Sequence, residues 1–376
     1  MARGGRGVVQ EHRARARPAA RWWRRWPEWS AYAAGAWSLA YGAAGVYWAF
    51  GGAGFPFGLA HDRAAHLSVL ARVKPTVAAP VIAVLGLLGA AAAVAMARAR
   101  GRGARRLALL AVAWAVAVGL TLVLPDFRIL VIVAYAPILL LGAPFGWPGG
   151  VRVRDAVPWP VVNQLLCVVG GLLWALAATA YRRRTRGACA YCGRSGADAG
   201  WTAPGAAARW GRWAAAVAVA VPVVYALTRW AWALGFPLGI SEAFYHEGAA
   251  VGLWRVGAAL ATLAAGGALL TLGLTRRWGE VFPRRLPIIG GAAVPRGLVI
   301  VPAALVSVLV TAAGVMFVRM GFAGTFRIGR HTISFDENVG ALAPELLWPL
   351  WGAALAAATL AYHYRTRGRC ARCGRG

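Results

Sequence analysis

Tyr181-Arg-Arg-Arg-Thr-Arg-Gly-Ala-Cys189-Ala-Tyr-Cys192-Gly-Arg194 and Tyr362-His-Tyr-Arg-Thr-Arg-Gly-Arg-Cys370-Ala-Arg-Cys373-Gly-Arg375 are two versions of one segment. Each matched position lies 181 residues from its counterpart, and four of the five cysteines sit in these two copies. The same offset relates Gly54-Phe-Pro-Phe-Gly58 to Gly235-Phe-Pro-Leu-Gly239, and Lys74 to Arg255. Three widely spaced matches at one offset read as an internal duplication. The chain then divides into a basic tail (1–29), a first repeat (30–198), a linker (199–209) and a second repeat (210–376).

Between these landmarks the chain is apolar. Hydrophobic residues make up 60% of the 376, charged residues only 14%, and there are 19 Trp. Runs of roughly 20 apolar residues suit a bilayer core. They fall at 30–50, 76–97, 107–124 and 160–181 in the first half, and at 214–234, 249–274, 298–318 and 342–362 in the second. A ninth segment, 129–146, is short and holds Pro137 and Pro144, which suit a spanning helix poorly.

Forty-one basic residues against 12 acidic ones give a formal charge of +29. In a soluble chain such a balance points to nucleic acid. In a membrane chain it marks the cytoplasmic ends of helices, which makes nucleic acid the weaker reading. Almost all of this charge is Arg, with Lys74 the only lysine, and Ala and Gly are inflated alongside it, as in GC-rich genomes. Placing the basic connections 98–106, 182–186, 276–285 and 365–375 on one side requires four crossings per half. The expected fold is therefore an all-α integral membrane protein. It has two parallel four-helix repeats, eight spans in all, with 129–146 re-entrant, interfacial or buried against the bundle. Both termini are then cytoplasmic. The tail has no cleavage-site pattern and is long and polar for the start of a signal peptide; the expectation is a disordered segment touching anionic headgroups.

The cysteines carry the clearest chemistry. A Cys-x-x-Cys-Gly turn aims two thiolates at one metal, and glycine relieves crowding beside the sulfurs. Two such turns make a tetrahedral set for zinc: Cys189, Cys192, Cys370 and Cys373. The pairs are far apart for a zinc site, but duplication places them on equivalent helices facing the same side. A reducing cytoplasm disfavours structural disulfides; redox-active dithiols or unpaired use are the alternatives. Cys167, among Leu and Val, reads as a small core residue.

A second set lies in the opposite loops. Asp62-x-x-x-His66 and Glu242-x-x-x-His246 have the spacing of one helical face. With Lys74 and Arg255 as counter-charges they could form an outer site for protons or cations, or make local ion pairs of little weight. Arg229 and Arg255 read as snorkelling cations, with Glu242 or Glu247 as possible partners for pairing. No phosphate loop, His-Glu-x-x-His pattern or nucleophile elbow is present.

Tyr47-Trp48-Ala-Phe-Gly-Gly52, the Gly-Phe-Pro-x-Gly turn, and Arg277-Trp-Gly-Glu-Val-Phe-Pro-Arg-Arg285 resemble uncharacterised actinobacterial multi-pass membrane proteins. The resemblance implies a bacterial inner-membrane protein and carries no activity or ligand. Three functional readings stand: a non-enzymatic membrane protein with a zinc clasp for docking or sensing, a small-solute or ion transporter, and a membrane thiol–disulfide oxidoreductase.

Overall fold

The structure, a computed structural model, describes residues 25–62, 64–98, 101–142, 157–195, 200–323, 327–328, 331–332 and 336–375. Its helices follow the apolar runs closely. They are α1 (Trp26–Ala49), α2 (Pro75–Arg98), α3 (Gly103–Val118, continued by a π-helical turn, Gly119–Val123), α4 (Phe127–Gly142) and α5 (Trp159–Thr185). The second half holds α6 (Pro204–Ala233), α7 (Glu242–Ala250), α8 (Leu253–Leu272), α9 (Arg296–Phe322), α10 (Val339–Leu346) and α11 (Trp348–Thr366). A two-residue ladder pairs Arg327–Ile328 with His331–Thr332.

Among the described residues, seven helices are long and apolar enough to cross a membrane: α2, α3 with its π turn, α5, α6, α8, α9, and α10 together with α11. Helix α1 is as long as α2 but carries more Trp, Tyr, Gly and Ser, and is not among the seven. The segment expected at 129–146 is helix α4, shorter than the spans and packed against α5 and α9; residues 143–146 lie outside the described residues. Two boundaries differ from the sequence reading. Helix α6 starts at Pro204, within the expected linker, because proline at the first turn gives up no hydrogen bond and presets φ. The run 249–274 is interrupted where Gly252 takes φ +71°, separating α7 from α8.

Small residues face inward and large aliphatic ones outward. On α2 the buried positions are Ala79, Ala83, Gly86, Gly89, Ala93 and Met96, while Val77, Val81, Val84, Leu85, Leu87 and Leu88 are exposed. A soluble helix would invert this pattern, because water drives large side chains into the core. Lipid is as apolar as leucine, so membrane helices associate through close backbone approach at small residues. Gly42 of α1 meets Gly86 of α2 backbone to backbone, and a Cβ on Gly45 would stand 2.6 Å from the Ala83 nitrogen.

Each half uses the same pairings. In the first, α1 packs against α2 and α5, and α3 packs against α5. In the second, α6 packs against α8 and α11, and α9 packs against α11. The halves meet where α9 lies against α4 and the π turn. Leu309 of α9 packs there with Ile129, Val161 and Val168, an apolar contact.

Candidate metal centre and the charged sites at the opposite end

Helices α5 and α11 end in equivalent ways. Tyr181 and Tyr362 are both buried, and one turn later Thr185 and Thr366 each donate to the carbonyl of that tyrosine, at 2.9 and 2.8 Å. Arg184 and Arg365 then donate to the carbonyls of Met96 and Leu274, at the ends of α2 and α8. Helix ends leave carbonyls without partners, and arginines of the following elements are well placed to fill them.

Beyond these turns the two cysteine loops are near copies. Cys189 N–H donates to the Arg194 carbonyl at 3.0 Å, and Cys370 N–H to that of Arg375 at 2.8 Å. Gly193 N–H returns to the Cys189 carbonyl and Gly374 N–H to that of Cys370, both at 2.8 Å. These glycines take φ +76° and +71°, the left-handed conformation that a side chain strains to adopt. The loops also lock onto each other. Arg194 donates to the Arg375 carbonyl at 2.7 Å, and Arg375 donates to the Arg194 carbonyl at 3.1 Å. Arg194 reaches the Gly368 carbonyl as well, at 2.9 Å, and its side chain is buried between the loops.

The result brings Cys189, Cys192, Cys370 and Cys373 together, with sulfurs all within 4.8 Å of one another. Cys192 and Cys373, which are 181 apart, stand 3.6 Å from each other. A tetrahedral ion with Zn–S bonds of about 2.3 Å holds its sulfurs about 3.8 Å apart, so the donor set has the right kind, number and spacing. All four thiols are unbridged and half-buried.

Their proton affinities diverge. Burial works against ionising Cys370, but the N–H groups of Arg372 and Cys373 outweigh it and lower the thiol to about 7. Cys189 is likewise lowered, the N–H groups of Cys192 and Tyr191 overcoming burial. Cys192 is pushed up to about 12, first by burial and then by the neighbouring sulfurs. Four sulfurs this close cannot all ionise without a cation among them. Arginines supply positive charge around the site. Arg183 donates to the carbonyls of Ala190 and Tyr191 within the first loop, and Arg372 of the second loop lies over the Tyr191 ring at 4.8 Å. The Tyr191 hydroxyl bonds Glu28, which ties the first turn of α1 to the cluster.

The opposite end is built otherwise. Asp62 does not share a helical face with His66; the segment turns there, and only 65–67 form a single 3-10 turn. Asp62 Oδ1 accepts from the Ala64 N–H at 3.0 Å, a local turn that competes with helix. Both carboxylate oxygens of Asp62 then take Arg128, at 3.0 and 2.7 Å. Arg128 is shared with Asp126, which is 2% exposed and accepts from Gln164 Nε2 at 2.6 Å. His66 is exposed.

In the second half Ser241 caps α7, and Glu242 and His246 do share a face there, 3.6 Å apart, at 74% and 77% side-chain exposure. Lys74 and Arg255 are exposed, and among the described residues no ion pair joins them to either acid. The expected outer-face set is thus two separate local arrangements.

Arg229 does not snorkel. It is 8% exposed, lies over the rings of Trp232 at 4.2 Å and Tyr225 at 4.6 Å, and forms an ion pair with Glu345 of α10. It also donates to the carbonyls of Gly340 at 3.2 Å and Ala341 at 3.1 Å. Pro344 explains the first of these. It has no N–H for the carbonyl four residues back, and the guanidinium fills the vacancy. Sequence reading missed this pair, although Glu345 is the one acid in the last apolar run and Arg229 the one base in the run 214–234.

No protein-family model, curated protein or solved structure matches the chain. What fold and site define is an α-helical membrane protein with a four-cysteine cluster able to hold a metal ion.

Proposed function

We propose that the chain is a multi-pass protein of the bacterial plasma membrane, not an enzyme, in which one zinc ion clasps two repeats on the cytoplasmic face. Counting α1, each half crosses four times, the repeats are parallel, and both termini are cytoplasmic. The clasp holds the halves in register and presents an Arg-rich surface for docking or sensing. One observation carries this reading: four sulfurs from loops 181 residues apart lie within 4.8 Å of one another. Support comes from the guanidinium exchange between Arg194 and Arg375, and from the apolar packing where the halves meet, which is not the lining of a solute path.

A four-thiolate tetrahedral set suits zinc or iron, and metal analysis separates them. Protein purified from membranes should carry about one zinc per chain, and Cys189→Ser with Cys370→Ser should release it. Metal-free protein sinks the proposal. After chelation, a membrane-impermeant maleimide should label the four thiols only from the cytoplasmic side. Labelling from outside would reverse the topology.

A further inference from the structure

Arg229 and Glu345 are unequally provided for. The guanidinium of Arg229 has Thr228 Oγ1 at 3.1 Å, two backbone carbonyls, two aromatic faces and Glu345 Oε1. Neutral dipoles and π-faces thus sustain its charge even without an anion. Glu345 has Arg229 on Oε1, while its Oε2 is buried without a hydrogen-bond partner among the described residues. The indole N–H of Trp348, three residues on, is buried and unpartnered too. Arg229 has a structural duty to the carbonyl that Pro344 leaves open; the packing assigns none to the second oxygen of Glu345. An ionisable side chain facing a bundle interior in a membrane span is by default functional, and a half-satisfied carboxylate in an apolar setting is the member of such a pair that can shed its charge.

We propose that Glu345 is a proton-binding carboxyl within the membrane, alternating between a carboxylate paired with Arg229 and a neutral acid, while Arg229 stays charged. A hydronium ion gives up one O–H bond as the proton forms an O–H bond at Oε2, leaving a water molecule; no other covalent bond changes. The path is short, because Glu345 lies six residues from the start of α10, about 9 Å at 1.5 Å per residue. Groups facing the site are Arg229, Thr228 and Tyr225 on α6 and Trp348 on α11, with Phe317 of α9 against Trp348.

The test is carbodiimide labelling of the full chain in its native membrane, mapped by mass spectrometry. Dicyclohexylcarbodiimide partitions into lipid and modifies protonated carboxyls there, whereas a water-soluble carbodiimide does not reach them. The expected result is an adduct on Glu345 from the apolar reagent alone, falling about tenfold per pH unit above the titration of the carboxyl. No adduct on Glu345 at any pH overturns the proposal, as does equal labelling by the water-soluble reagent. The adduct is read on the unaltered chain, so the result stands even where Glu345→Gln fails to fold; where that variant folds, it should lose only this adduct.

Discussion

The two ends of the bundle treat residues 181 apart in opposite ways. At the cysteine end, groups 181 residues apart do the same job: the carbonyls of Tyr181 and Tyr362, the hydroxyls of Thr185 and Thr366, and the guanidinium groups of Arg194 and Arg375 make matching bonds. At the other end, residues 181 apart do different jobs. Gln164 and Glu345 share the offset (345 − 181 = 164), yet Gln164 donates its amide N–H to the anion Asp126 and a carboxylate oxygen of Glu345 accepts from the cation Arg229. The partners do not correspond, since Arg229 matches Trp48 and Asp126 matches Ser307. Each of these two positions is fitted to its own local charge. Two matched loops can complete one four-sulfur cluster only by staying alike, whereas the far ends meet different neighbours and are free to diverge.

Four variants probe that contrast, from the largest effect to the smallest. Cys189→Ser with Cys370→Ser should cost the most, on the order of 10 kcal/mol of metal-coupled stability. Differential scanning calorimetry in detergent should then show the halves unfolding in separate steps; a single undiminished transition would mean that the clasp joins nothing. Arg229→Gln strips the Gly340 and Ala341 carbonyls and leaves Glu345 buried alone, a loss of about 3–5 kcal/mol. Asp126→Ala deprives Arg128 and Gln164 of one partner, but Arg128 keeps Asp62 and some access to water, so about 2 kcal/mol is expected. If thermal melts rank Asp126→Ala above Arg229→Gln, the first half holds the more critical charge site and the contrast is reversed. Glu242→Gln should change stability by no more than about 0.5 kcal/mol, because its pair with His246 lies in solvent.

What sequence could reveal follows the range of the interaction. Most helices were legible within a few residues because lipid imposes length and composition on each span separately, but the early start of α6 and the break at Gly252 were not. The cysteine cluster was legible because the repeat offset stood in for long-range proximity. The network of Asp62, Arg128, Asp126 and Gln164 was not, since it joins a turn, a helix start and a helix interior with no common spacing. Asp62 was misread because i, i+4 spacing presumes a helix, while its own side chain caps a turn. For Arg229 a signal existed and went unused: Pro344 frees a carbonyl four residues back, and a freed carbonyl within a membrane needs a donor.

The exchange between Arg194 and Arg375 also sets a clock. The first loop is made 181 residues before the second, and at 5–20 residues per second the interval is roughly 10 to 35 s. Throughout that time Cys189 and Cys192 have each other but neither the sulfurs of Cys370 and Cys373 nor the bond from Arg375 to the Arg194 carbonyl. The nascent chain therefore passes through a stage in which the first loop holds two of the four thiols and awaits the loop that completes the cluster.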